Sequence, residues 1–151
     1  MYSFKPNNIF FQSYVRPELL EDLQQLFFFH PNQKKYRKQI VSAIEKYGKP
    51  EIKMEENKVS IWLANLAINQ QSIMVFDKLN PHKILAVLIY VKEDQLIKII
   101  HMAIQSDLNE IYHEADMAVL TEIMELFKAM VSKMKEVTLI QFEYSKLQIA
   151  I

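Results

Sequence analysis

The chain has 151 residues, of which 50% are hydrophobic and 24% are charged, a composition typical of globular proteins rather than disordered or fibrous ones. Its 18 basic residues balance its 18 acidic residues, so no overall field draws it to nucleic acid or to an anionic membrane, and neither is expected as a partner. A chain of this length is expected to form a single domain over residues 1–151, burying roughly two-thirds of its unfolded surface.

Two residue types are almost absent. The chain has no cysteine and one glycine, Gly48. Disulfides, thiolate zinc sites and cysteine nucleophiles are thereby excluded. Phosphate-binding loops use glycine because backbone amides must approach the ligand closely, so P-loops and dinucleotide fingerprints are excluded too. No apolar run reaches the roughly 18 residues of a membrane-spanning helix, and no signal-peptide pattern opens the chain, which predicts a cytoplasmic protein.

The first third is predicted to contain a strand and two helices. The segment from Asn8 to Val15 is aromatic and β-branched, as strands are. Pro17 suits a helix start, and apolar residues at helical spacing predict a helix from Glu18 to Phe29. A second helix is predicted from Gln33 to Tyr47, ended by Gly48 as a C-cap.

Beyond Gly48 the apolar period changes from helical to strand-like. Glu51–Glu55 and Val59–Ala67 predict a hairpin, Ser72–Phe76 predicts another strand, and Asp77–Pro81 predicts a loop. The region from His82 to Ile104 follows, and it has the strongest strand character in the chain.

Two β-branched segments in this region flank the polar break Lys92–Gln95, a pattern typical of a β-hairpin. Ile84 to Val91 is apolar without interruption, which predicts a strand covered on both faces in the centre of a sheet. Five strand-like runs between Glu51 and Ile104 favour an antiparallel meander over alternating strands and helices.

The last third is predicted to contain a long helix and a strand at Val137–Tyr144. The residues at helical spacing are Met117, Leu120, Met124, Phe127, Val131 and Met134. The predicted fold class is therefore α+β, with a mixed, mostly antiparallel central sheet flanked by helices. A monomer would have to cover or pair the apolar residues of the C-terminal tail, Leu147, Ile149, Ala150 and Ile151, so a homodimer is expected.

The four histidines offer no metal site, because none recurs at ligand spacing with a second donor type. His101 lies within an apolar strand, where burial or a neighbouring carboxylate would shift its pKa, and it is the candidate catalytic base. The alternative is a core or edge histidine with one satisfied hydrogen bond.

The order of these elements resembles that of the GNAT family of N-acetyltransferases. The resemblance rests on Ser72–Asp77, His82–Val91, Lys98–Ile104 and the helix through Met117–Leu120. In that family a strand ending in a motif like His-Met-Ala-Ile precedes the loop that binds acetyl-CoA. The resemblance implies a GNAT-like fold over about Ile9 to Tyr144. It also implies acetyl-CoA or CoA as cofactor, bound by the backbone of Met102, Ala103 and Ile104.

The segment after this strand departs from the family pattern, which resembles Gln/Arg-x-x-Gly-x-Gly/Ala. Here the equivalent segment has no glycine or arginine and instead presents carboxylates at Asp107, Glu110, Glu114 and Asp116. Such carboxylates complement a helix dipole and would repel a pyrophosphate.

Three hypotheses follow. The first is a GNAT-like acyltransferase, divergent or inactive and of unknown substrate. The second is a non-catalytic α+β interaction module that acts as a homodimer. The third is a ligand-binding domain with an aromatic pocket drawn from Phe27, Phe28, Phe29, Tyr36 and Trp62.

Overall fold

The computed structural model describes residues 9–28, 37–64, 69–104, 116–142 and 148–150, with the side chains of 116–120 and 148–150 excepted. Within these ranges the elements are β1 (Ile9–Gln12), a 3-10 turn (Pro17–Leu19), α1 (Leu20–Phe28), α2 (Arg37–Tyr47), β2 (Pro50–Glu55), β3 (Lys58–Leu63), β4 (Gln70–Asp77), β5 (Asn80–Glu93), β6 (Leu96–Ile104), α3 (Asp116–Val131), β7 (Leu139–Phe142) and β8 (Gln148–Ala150).

Six of these strands form the central sheet, in the order β1-β4-β5-β6-β7-β8. Neighbouring strands are antiparallel except β6 and β7, which are parallel. Parallel neighbours require a crossover connection, and α3 lies between β6 and β7 in the chain. The prediction of an α+β protein with a mixed, mostly antiparallel sheet is confirmed. No helix in the described ranges is both long enough and apolar enough to cross a membrane.

β5 is the strand on which both layers of the core pack. It pairs with β4 on one side and with β6 on the other, and every residue from Ile84 to Val91 is buried. Leu88 and Tyr90 belong to the apolar cluster beneath α3, whereas Val87 and Ile89 belong to the cluster beneath α1 and α2. The uninterrupted apolar run therefore reflects a strand covered on both faces, as predicted.

The β2–β3 hairpin forms, but outside the central sheet. It makes a separate two-stranded sheet, so the expectation that all five runs form one meander was wrong for the first two. Its two-residue turn, Glu56 and Asn57, has positive φ at both positions (49° and 63°), as the type I′ turns that match strand twist do. The inward residues Val59, Ile61 and Leu63 complete the cluster beneath α1 and α2.

Two contacts join the hairpin to the rest of the structure. Val15 and Val59 exchange backbone hydrogen bonds, each with an N–O distance of 2.8 Å. The buried side chain of Gln70 accepts a hydrogen bond from the Leu63 N–H (2.6 Å) and donates one to the Leu63 carbonyl (3.1 Å). The side-chain amide of Gln70 thus pairs with Leu63 as a neighbouring strand backbone would. It satisfies the N–H and the carbonyl of Leu63, which burial would otherwise leave unpaired.

The loop predicted at Asp77–Pro81 is shorter than expected. A two-residue turn, Lys78–Leu79, joins β4 to β5, and the Asp77 carboxylate accepts a hydrogen bond from the Leu79 N–H (2.9 Å). Pro81 lies in β5, before the part that pairs with β6 from Ala86 onward. Proline is compatible with a strand there, because no β6 carbonyl needs its missing N–H.

Truncating a leucine in the centre of β5 tests this core. Leu88 is fully buried and Leu79 is 76% exposed. We expect L88A to lower the free energy of unfolding by about 2–5 kcal/mol, because it leaves a cavity. The same truncation in L79A should change it by no more than about 0.5 kcal/mol. Urea denaturation measures both, and equal effects would contradict the central role of β5.

Candidate functional site

A β-bulge in β6 sets the direction of His101. The pairing with β5 passes from Tyr90 opposite Ile99 to Ile89 opposite His101, so Ile100 is the extra residue. Ile99 faces α3, while Ile100 belongs to the cluster on the α1 and α2 side. Strict alternation from Ile99 would turn His101 toward α3. The bulge turns it toward α1 instead.

The described part of β7 pairs with the first half of β6. The parallel pairing runs from Leu96 opposite Leu139 to Ile99 opposite Phe142. β6 continues to Ile104 and stays paired with β5 throughout, down to Ala86 opposite Ile104. In the described residues, β5 is the strand partner of the β6 segment from His101 to Ile104; residues 143–147, which follow β7, are not described. We call the edge of this segment that faces away from β5 the open edge of β6.

The predicted site residues therefore lie together on one strand. His101 and Ala103 face α1 and α2, and Met102 and Ile104 pack on the α3 side. His101 is buried, and the other three residues are half-buried. The backbone positions predicted to bind a cofactor thus coincide with the open edge, and their role in binding stays a prediction.

His101 lies in an apolar environment. Its ring makes an edge-to-face contact with Phe27 of α1, with centroids 5.9 Å apart and an interplanar angle of 81°. Burial disfavours the charged imidazolium and lowers the pKa of His101 from 6.5 to about 4. The ring is therefore neutral at neutral pH and can accept a proton. Because its conjugate acid is strong, it is a weak base toward an alkylammonium group.

Glu122 is a titratable residue that the sequence analysis missed. It lies on α3 with only 9% of its surface exposed, and its Oε2 has no hydrogen-bond partner in the part of the chain that the structure describes. Burial, and next the Glu125 carboxylate, raise the pKa of Glu122. In the sequence, Glu122 stands beside Ile123 at the border of the wide apolar stripe of this helix, and that position could have indicated its burial.

Glu122 and His101 do not form a catalytic pair. The neighbours of Glu122 on α3, Ile123 and Phe127, pack on one face of the sheet, whereas His101 contacts Phe27 on the other face. Desolvation shifts the pKa of both groups in the direction that favours the neutral form.

Two further features of the sequence are its acidic segment after β6 and its potential metal ligands. Asp107, Glu110 and Glu114 of the acidic segment lie outside the described residues, and Asp116 is the first residue of α3. No group of three metal-ligating side chains occurs in the described ranges.

Two members of the aromatic pocket in the third hypothesis, Phe27 and Trp62, occupy different environments. Phe27, a residue of α1, is buried in the core on that side of the sheet. Trp62 lies on the outer face of β3, because Ile61 and Leu63 on either side of it point inward. Phe29 and Tyr36 lie outside the described residues.

Comparison of this chain with models of protein families, with curated proteins and with solved structures gave no match. Function is therefore inferred from the site itself.

The burial of His101 predicts a pH-dependent stability. The folded state binds a proton at His101 only below about pH 4, whereas the unfolded chain binds one near pH 6.5. The unfolded state thus binds more protons between these values, so the contribution of His101 is complete above pH 6.5 and is lost as the pH falls toward 4. The stability lost through His101 over this pH range is about 3 kcal/mol.

We therefore expect H101L to lose less stability than the parent protein between pH 7 and pH 4, as measured by urea denaturation across that range. The exposed residue His82 provides the control variant, H82L. A parent and an H101L variant with the same pH dependence would show that His101 is not held neutral by the fold.

Proposed function

We propose that this chain is a GNAT-like protein that binds an acyl-CoA along the open edge of β6. One observation carries the proposal: after the bulge at Ile100, β6 continues to Ile104 in pairing with β5, beyond the residues that pair with the described part of β7. The element order, with α3 between two parallel strands, supports the same assignment. Residues Met102, Ala103 and Ile104 are the proposed binding positions.

The physical basis is the edge of β6 that faces away from β5. Alternate residues of His101–Ile104 direct their backbone N–H and C=O groups away from β5, as in any antiparallel pair. Such groups are templates for an added strand. The pantetheine arm of CoA carries two amides in an extended chain, so it can pair with this edge as a peptide strand would.

The phosphate end of the ligand is expected to contribute little. The chain has one glycine, at position 48, and the segment after β6 is acidic. A pyrophosphate therefore lacks the close backbone approach that glycine permits, and it meets like charges. Pantetheine should account for most of the affinity, which distinguishes this chain from an acetyltransferase that grips the pyrophosphate.

Binding can be tested by thermal denaturation with acetyl-CoA, CoA, pantetheine and ADP. A ligand that binds only the folded state raises the melting temperature. We expect acetyl-CoA, CoA and pantetheine to raise it and ADP, which has the pyrophosphate but no pantetheine, to leave it unchanged. No shift with acetyl-CoA or CoA at concentrations near 1 mM would reject the proposal.

Amide hydrogen exchange then locates the ligand. Amides of His101–Ile104 that face the open edge should exchange more slowly when acetyl-CoA is bound. The amides of Leu96–Ile99 provide an internal control, since this part of β6 is already flanked by β5 and β7. Slower exchange elsewhere, with no change at the open edge, would place the ligand at another site.

A second candidate function is association as a non-catalytic homodimer. β8 is the last strand of the sheet and pairs only with β7 in the described structure. Its residues, Gln148–Ala150, belong to the apolar C-terminal tail. An edge strand of this kind can pair with the same strand of a second copy about a twofold axis.

Light scattering of the intact chain and of a chain ending at Tyr144 tests this candidate. A dimeric intact protein and a monomeric truncated one, with unchanged circular dichroism, are the expected results. A monomeric intact protein would remove the case for association through β8.

A further inference from the structure

A polar cleft lies between the β2–β3 hairpin and the central sheet, apart from the open edge of β6. Its volume is about 330 Å³, within the roughly 300–1,000 Å³ range of small-molecule sites. One wall is the outer face of the hairpin, with Trp62 of β3. The opposite wall is formed by Ser13 and Tyr14, which follow β1, and by Gln71 and Ser72 of β4.

The aromatic residues of the cleft are held in place before any ligand binds. The indole N–H of Trp62 donates a hydrogen bond of 2.7 Å to the Ser60 hydroxyl, which fixes the plane of the ring. Tyr14 precedes Val15, whose backbone is bonded to β3. Both rings are half-buried. They provide rigid, partly apolar surfaces in a cleft that is otherwise polar.

Charges in the cleft are balanced. Lys58 Nζ lies 4.8 Å from the centroid of the Tyr14 ring, and Lys53 Nζ lies 5.5 Å from that of Trp62. Lys53 also forms an exposed ion pair of 3.5 Å with Glu55, and Glu56 is a second acidic lining residue. Two lysines and two glutamates give the cleft no net charge, so its charge does not favour a strongly anionic or cationic ligand.

We propose that this cleft binds a neutral carbohydrate, with a pyranose ring stacked on Trp62 and its hydroxyl groups bonded to the polar lining. A pyranose has an apolar C–H face that suits an aromatic ring, and its hydroxyls both donate and accept hydrogen bonds. The lining supplies matching partners, since lysines donate, glutamates accept, and serine and glutamine side chains do both. The lysines that contact the rings are exposed, and exposed cation–π contacts are weak, so a ligand can displace them.

Trp62 makes the test specific, because it is the single tryptophan of the chain and its fluorescence reports on the cleft. The full-length protein is titrated with methyl glucoside, maltotriose and N,N′,N″-triacetylchitotriose to about 10 mM, tenfold above a millimolar Kd. Sorbitol is the control, since it has similar hydroxyl groups but no ring. ATP and phenylalanine represent anionic and zwitterionic ligands.

A saturable fluorescence change with at least one pyranoside, and none with sorbitol, is the expected result. No change with any pyranoside would overturn the proposal. A response to ATP or phenylalanine without one to the sugars would overturn it as well, because the ligand class would then be charged.

Matched variants test the location. Lys58 lines the cleft, and Lys78 is an exposed lysine in the β4–β5 turn. We expect Y14A and K58Q to weaken sugar binding, with about tenfold for Y14A, and K78Q to leave it unchanged. Because the Lys58 side chain is exposed, we expect K58Q to keep the fold, so it remains informative should Y14A unfold. Unchanged binding in K58Q and in a folded Y14A would place the sugar outside the cleft and refute the assignment.

Discussion

The burial of β5 on both faces is the constraint on which the rest of the structure depends. A strand that exposes apolar side chains to both sides must be covered by two layers. Here α3 covers one face, while α1, α2 and the β2–β3 hairpin cover the other. The core is thus two clusters separated by one sheet. The contact of Tyr90 with Phe127, at 5.2 Å, lies on the α3 side of the sheet, and the contact of Phe27 with His101 lies on the other side.

The β6 strand contains one irregularity, a bulge. The extra residue at Ile100 changes which face His101 occupies, and it lies directly after Ile99, the last residue of β6 opposite the described part of β7. Bulges are frequent next to functional sites because they redirect a side chain and interrupt pairing. In this protein, one bulge places a neutral histidine against Phe27 and stands at the start of the open edge. The proposed acyl-CoA site depends on the open edge more than on His101, because a histidine of such low basicity contributes little to proton removal.

The hairpin between α2 and β4 serves both packing and, as proposed, recognition. Its inward side chains belong to the core, and its outward side chains carry the aromatic and charged residues of the cleft. The Gln70 amide and the Val15–Val59 backbone pair hold the hairpin against the sheet without extending the sheet itself. The cleft is therefore bounded by two rigid elements. Such a boundary lowers the conformational cost of binding a small ligand.

The sequence by itself determined the elements, because their signals are local. The apolar run of β5, the helical spacing in α1 and α3, and the lack of glycine loops can all be read within a few residues. It also indicated His101, from its place in an apolar strand, and, through the resemblance, the strand end Met102–Ile104. Tertiary structure alone decided the bulge at Ile100, the parallel pairing of β6 with β7, the separation of the hairpin from the main sheet and the burial of Glu122. These depend on which distant strands pair and in which register, and a register is set by the packing of whole faces rather than by neighbouring residues. The same holds for the pKa of His101, which is lowered by burial in a core to which a helix distant in sequence contributes Phe27.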